Sequence, residues 1–275
     1  MIDHDARHFL TRVFVLLLMF NVIEVQGQTL PATRNLSLGN AAVALKGVHS
    51  IGHNPAGIVS LEQPVLSALY SQHFLGSNTH SLTGKIVIPT AFASFGAYGH
   101  YYSFESYYQT TSAGMIVARS LLNDLAIGMS ANYHLTYIPD ELQRSHFSFD
   151  VGAQYSLGTI ADIGLSVRNL QRFFIKDDVI LDQSTEIRLG SSYRFSYQVL
   201  LAAELSYFFE SRTDFALGLE YLPMNWLVLR GGTSVNPFMQ YIGAGIIAKK
   251  FNFDVATSFH PHLGYSPQVS IDYRF

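Results

Sequence analysis

The 275-residue chain contains no cysteine, which excludes disulfide staples, thiolate metal centres, a cysteine nucleophile and a lipidated N-terminal cysteine. Charge is also scarce: Asp, Glu, Lys and Arg together make up 13% of residues, about half the share usual in soluble globular domains. The net charge is −3 and the pI about 6.4, with no Lys/Arg-rich run. The electrostatic footprint of a nucleic-acid binder is therefore missing, and nucleic acid is not expected as a partner. Long apolar runs are missing too. The longest, Val13-Phe-Val-Leu-Leu-Leu-Met-Phe20, falls far short of the ~20 residues a spanning helix needs. Gly243-Ala-Gly-Ile-Ile-Ala248 has the letters of a dinucleotide fingerprint, but it lies in a strand-like stretch with no helix after it. A pyrophosphate would have no helix N-terminus to sit on, and no cofactor is expected.

What the chain has instead is aromatic residues at 13%, 21 glycines and period-2 alternation. Arg7 and Arg12 precede the apolar run, and Val25-Gln-Gly27 loosely fits a small-residue cleavage site, so residues 1–27 read as a secretory signal. From Pro64 onward fourteen alternating segments can be marked, near 64–74, 79–88, 91–102, 106–118, 124–136, 145–156, 161–168, 184–194, 199–209, 213–221, 225–233, 240–248, 250–259 and 266–275. Each is about as long as a tilted membrane strand, ~9–11 residues. In the last, Val269, Ile271, Tyr273 and Phe275 share one face and Gln268, Ser270, Asp272 and Arg274 the other. Unpaired backbone groups cost several kcal/mol in hydrocarbon, so membrane strands must close into a barrel. The expected fold is all-β: a transmembrane antiparallel β-barrel of about 14 strands over residues 63–275, in the bacterial outer membrane and in contact with its lipids. Tight turns after even segments and longer connections at 137–144, 169–183 and 260–265 fit such a barrel. The 169–183 stretch, with Lys176-Asp-Asp178, is the candidate extracellular contact region, or simply a solvated loop.

Charges predicted to face inward have both signs. Glu186, Glu204, Glu220, Asp254 and Asp272 would meet Arg188, Arg194, Arg230 and Arg274 in a lumen charge network, because unpaired buried charges are costly. Mixed signs fit structural filling and contacts to a plug better than a one-sign conduction path. His49 and His53, and His260 and His262, have metal-ligand spacing, but no cysteine or suitably offset carboxylate accompanies them, so no metal site is expected. A Ser-His-Asp arrangement could form only by long-range contact, and no nucleophile elbow occurs, so the chain is not read as an enzyme.

Residues 28–62 break the alternation. Arg34-Asn-Leu-Ser-Leu-Gly-Asn-Ala-Ala-Val-Ala44, followed by Asn54-Pro-Ala-Gly-Ile58, resembles the N-terminal signature of FadL-type (OMPP1/FadL/TodX) outer-membrane proteins, closest to the PorV/PorQ-like branch. The resemblance implies a hatch inside the barrel, with Leu38, Gly39, Asn40, Asn54, Pro55, Ala56 and Gly57 as its motif residues. Asn suits a turn or helix start, Pro presets φ, and Gly57 permits close approach or positive φ. Tyr273 and Phe275 resemble the terminal signal read by the barrel-assembly machinery during biogenesis.

Two functions follow as expectations. The first, implied by the PorV/PorQ resemblance, is a non-enzymatic component of a secretion (type IX-like) or surface-assembly complex, with a translocon or surface lipoproteins as partners. The second is a FadL-like channel for hydrophobic small molecules. An outer-membrane lipid-modifying enzyme is a remote third, and a soluble β-protein is the structural alternative.

Overall fold

Alternation leaves each strand with one face for lipid and one for the interior, and its backbone groups need partners on both edges. The computed structural model, which describes residues 30–105, 107–139, 142–173, 185–209 and 212–275, meets that need by closing on itself. Its strands are β1 (Val65–His73), β2 (Thr79–Pro89), β3 (Ser94–Phe104), β4 (Tyr108–Ser120), β5 (Leu125–Ile138), β6 (Leu142–Leu157), β7 (Ala161–Arg168), β8 (Glu186–Arg194), β9 (Val199–Phe208), β10 (Thr213–Met224), β11 (Leu227–Val235), β12 (Phe238–Ala248), β13 (Phe251–His260) and β14 (Gly264–Arg274). Neighbours in sequence pair antiparallel all the way round, and β1 pairs β14 from Val65 opposite Arg274 to Ser71 opposite Gln268. The barrel of fourteen strands is thus closed.

The two faces separate as alternation demands. Met115 on β4 is 76% exposed while its neighbour Ile116 is 4% exposed. Leu82, Met129, Phe147 and Ile242 likewise point outward, whereas Ser81, Thr83, Asn132 and Asp254 are buried inside. In a soluble protein such an apolar exterior would be an aggregation surface; around a closed barrel it is the face that meets lipid.

Two expected long connections are short. Pairing continues to Ile138 opposite Leu142 in the β5–β6 hairpin and to His260 opposite Gly264 in the β13–β14 hairpin. Polar residues there disguise strand ends whose backbone groups still gain by pairing. Only the β7–β8 connection stays long; it opens with a 3-10 turn at Leu170–Phe173. The 174–183 part of the expected contact region, with Lys176, and the expected signal at 1–27 lie outside the described residues.

Ahead of β1 come the short helix α1 (Thr33–Ser37) and 3-10 turns at Val48–Ser50 and Pro55–Ser60. Consecutive left-handed residues, Gly39 (φ 69°) and Asn40 (φ 63°), turn the chain sharply after α1. This inner segment carries two apolar cores. Leu30, Val48, Ile51 and Ile58 pack with Val65, Val87, Ile116 and Ala118 of β1, β2 and β4. Leu38, Ala41, Ala42 and Leu45 pack with Leu200, Ala202 and Ala216 of β9 and β10. One segment therefore touches both sides of the barrel.

Candidate functional site

The seam between the inner segment and the wall is where the chain's buried chemistry is concentrated. Its approach depends on inward glycines: Gly128, Gly152, Gly164, Gly218 and Gly232, each on a different strand, face segment backbone or the Asn54 side chain. A methyl at Gly128 would lie 2.5 Å from the Pro55 carbonyl carbon, and one at Gly218 2.5 Å from the Leu38 carbonyl oxygen. Close backbone approach explains this spacing of glycines. Gly243, within the false dinucleotide match, faces the Ser37 side chain in the same way.

Asn54 organises one end of the segment. Its Oδ1 accepts from the Ala56 N–H at 3.0 Å, capping the 3-10 turn with Pro55 in its first position, while Nδ2 donates to the Val43 carbonyl at 2.7 Å and the Ala153 carbonyl of β6 at 3.0 Å. Gly57 has no positive φ; it is needed because a side chain there would meet Ser50 Cβ at 2.6 Å and the Leu45 carbonyl oxygen at 2.8 Å. Leu38, Asn54, Pro55 and Ala56 are all buried, with Asn40 half-buried.

The wall answers with charge. Glu204 on β9 accepts from the backbone N–H groups of Ala42 and Val43, both at 2.7 Å. Charge-assisted bonds of this kind are among the stronger ones available. Arg34 donates through Nε and Nη2 to the two oxygens of Glu220 at 2.9 and 3.0 Å, and Arg230 Nε shares the same carboxylate at 2.7 Å. Arg230 also bonds Asp254. Arg188 is bidentate to Glu186 at 2.7 and 2.9 Å and lies 3.7 Å from Glu204. Arg188 Nη1 donates to His53 Nδ1 at 2.6 Å, so the imidazole proton belongs on Nε2. Burial, reinforced by that guanidinium, holds the His53 pKa well below its ordinary value.

Of the expected network, Glu186, Arg188 and Glu204 meet in one cluster and Glu220, Arg230 and Asp254 in another, while Asp272 pairs with His49 instead; all seven are buried. Arg194 and Arg274 are not in its interior: both sit exposed at the last turns of β8 and β14, where a long side chain reaches water. Tyr273 packs against Phe251 and Phe275, with centroids 4.9 and 5.0 Å away, and the Phe275 N–H donates to the Pro64 carbonyl at 3.1 Å.

Sequence spacing hid other partners. Buried Lys85 donates to the Ile51 carbonyl at 3.2 Å, and His49 Nε2 lies 2.8 Å from Asp272 Oδ2, with Asp254 nearby. No offset in the sequence announces these pairs, although the inward parity of Lys85 was a usable signal. His260 and His262 instead make a turn: His260 Nδ1 accepts from the backbone N–H groups of His262 and Leu263. His134 bridges Ser112 at 2.8 Å and Ser148 at 2.9 Å, while Asp150 serves Ser130, Asn132 and the Asn169 N–H. The acid does not reach the imidazole, so this arrangement lacks the orientation of a catalytic triad.

A cavity of about 250 Å³ opens on the side of β1's start and β14's end, between the inner segment and the wall. Arg34, His49, Arg230 and Asp272 border it beside Leu222 and Val228. A second space of about 20 Å³, enough for a single water, lies beside His53, Tyr98 and Asp150.

No family model matches the sequence, and no curated protein matches it. Solved structures do. The chain superposes on the toluene transporter TodX of Pseudomonas putida with a TM-score of 0.67 and 12% identity, over 91% of this chain and 99% of that one. For a Pseudomonas aeruginosa FadL homologue the values are 0.65, 12%, 90% and 100%. A TodX deletion mutant described as a monoaromatic hydrocarbon channel gives 0.68, 10%, 89% and 98%. At such low identity the likeness establishes the fold: this chain is a closed 14-strand antiparallel β-barrel of the bacterial outer membrane, built like the FadL/TodX-type channels.

Proposed function

We propose that this protein is a non-enzymatic, FadL-like channel that admits hydrophobic small molecules bearing a polar end, with residues 28–62 acting as its hatch. The observation that supports this most directly is how the inner segment is attached. It joins the wall through side-chain contacts and carboxylate-to-backbone bonds, not as a strand of the sheet, so it can leave its seat without breaking the barrel. The titles of the similar structures, a toluene transporter and a hydrocarbon channel, favour small-molecule passage. The cavity with apolar Leu222 and Val228 beside Arg34 and Arg230 suits a ligand with both characters.

Uptake of a hydrophobic carboxylic acid into proteoliposomes tests this reading. Wild-type barrels should accelerate uptake over empty vesicles, and Glu204→Ala combined with Glu220→Ala, which removes two of the hatch's charged anchors, should raise it several-fold further. Equal uptake by wild type, variant and empty vesicles would refute the channel. The secretion-complex reading draws on the Arg34–Ile58 motif and on short outer loops that would suit docking to partners. Stoichiometric recovery with a translocon or surface lipoproteins from gently solubilised membrane would bring it forward instead. Tyr273 and Phe275 are retained within the proposal as the signal for barrel assembly.

A further inference from the structure

We infer that His49, Asp254 and Asp272 form a binding site for a divalent transition cation of the zinc class, linking the inner segment to β13 and β14. The three residues come from distant parts of the chain, and one potential ligand atom from each lies within 4.8 Å of the others. All are buried, at 7%, 5% and 3% exposure. One polar atom of the cluster, Asp272 Oδ1, is enclosed and makes no hydrogen bond. Leaving a carboxylate oxygen so placed is costly unless something meets it.

The donor set decides the class of ion. One imidazole nitrogen with two carboxylate oxygens suits zinc, cobalt or nickel, whereas calcium and magnesium favour oxygen alone. Bond lengths of about 2.0–2.2 Å place the ligand atoms of a tetrahedral ion roughly 3.3 Å apart. His49 Nε2 and Asp272 Oδ2, at 2.8 Å, would spread slightly, and Asp254 would close in by side-chain rotation. Asp254 keeps one oxygen for Arg230 and can offer the other. The adjoining cavity supplies a path and room for a water as the fourth ligand. Because the site ties segment to wall, the bound ion stiffens that attachment whether or not the barrel conducts.

Full-length protein in detergent micelles, titrated with Co²⁺, tests the site. We expect one equivalent to bind with the visible absorption of tetrahedral cobalt, zinc to displace it, and His49→Ala to weaken binding more than about tenfold. His260→Ala with His262→Ala, which removes the exposed histidine pair, should leave the titration unchanged. If His49→Ala does not reach the folded gel mobility, Asp272→Asn takes its place. Absence of the tetrahedral spectrum, its persistence in the His49 or Asp272 variant, or its loss in the His260/His262 variant would overturn the inference.

Discussion

The inner segment rests on two walls of different chemistry. Toward β1, β2 and β4 it presents Ile51 and Ile58 to Val65, Val87 and Ile116, and the lumenal residues around them are mostly neutral, Ser67, Ser81, Thr83, His100 and Ser112, with Lys85 on β2 a lone charge that bonds the Ile51 carbonyl. Toward β8 to β14 it has apolar contacts too, with Leu200, Ala202 and Ala216, but there it also meets the charges Arg188, Glu204, Glu220 and Asp272. Apolar contact lacks direction and weakens gradually with separation. Ion pairs and carboxylate-to-amide bonds are directional, and each broken one leaves a buried charge alone. A seat of the first kind keeps the segment in the barrel; a seat of the second kind sets its register and provides the points at which it can be released.

The sharpest way to break this comparison is steric. Gly128→Val should cost more than about 3 kcal/mol, since its side chain must enter the Pro55 backbone. The folded, heat-modifiable gel band should be lost, while Gly84→Val, with nothing within 4 Å, keeps it. Ile51→Ala, facing the largely neutral wall, should cost about 2–5 kcal/mol by its cavity, read as a lower urea midpoint in lipid vesicles without a gain in permeability. Glu220→Gln on the charged wall should cost about 3 kcal/mol because Arg34 and Arg230 lose their shared partner. That variant should also raise permeability, and equal permeability of the two variants would erase the distinction between the walls. The smallest effect concerns pH. His53 is buried neutral, with its folded pKa held below the unfolded value near 6.5. Above about pH 6.5 it is neutral in both states and contributes no pH dependence; below that the unfolded chain takes up a proton the folded one refuses, so stability falls. His53→Gln should show a shallower loss of urea midpoint between pH 7.5 and 5.5 than wild type.

Alternation made all fourteen strands legible, because the sign of each position depends only on which face it occupies. Strand ends were harder: 139–141 and 261–263 read as parts of longer loops because local polarity says nothing about whether a hairpin goes on pairing. At the seam, the acidic and basic members of the network were readable from inward parity. Arg194 and Arg274 obeyed the same parity yet fell at the rim, a matter of depth rather than face. Glycines at inward positions of successive strands were also in plain view, but their meaning required knowing what approaches them.

By itself, the sequence determined that this protein closes a 14-strand barrel, since a period-2 pattern with an apolar outer face and no other way to satisfy backbone groups in lipid leaves that solution. Only the tertiary structure decided that Arg34 meets Glu220, that Ala42 and Val43 hang from Glu204, and that His49 joins Asp254 and Asp272. Those encounters depend on where a non-repeating segment comes to rest inside the barrel. That position is set by the sum of many close contacts across the lumen, which no local spacing along the chain encodes.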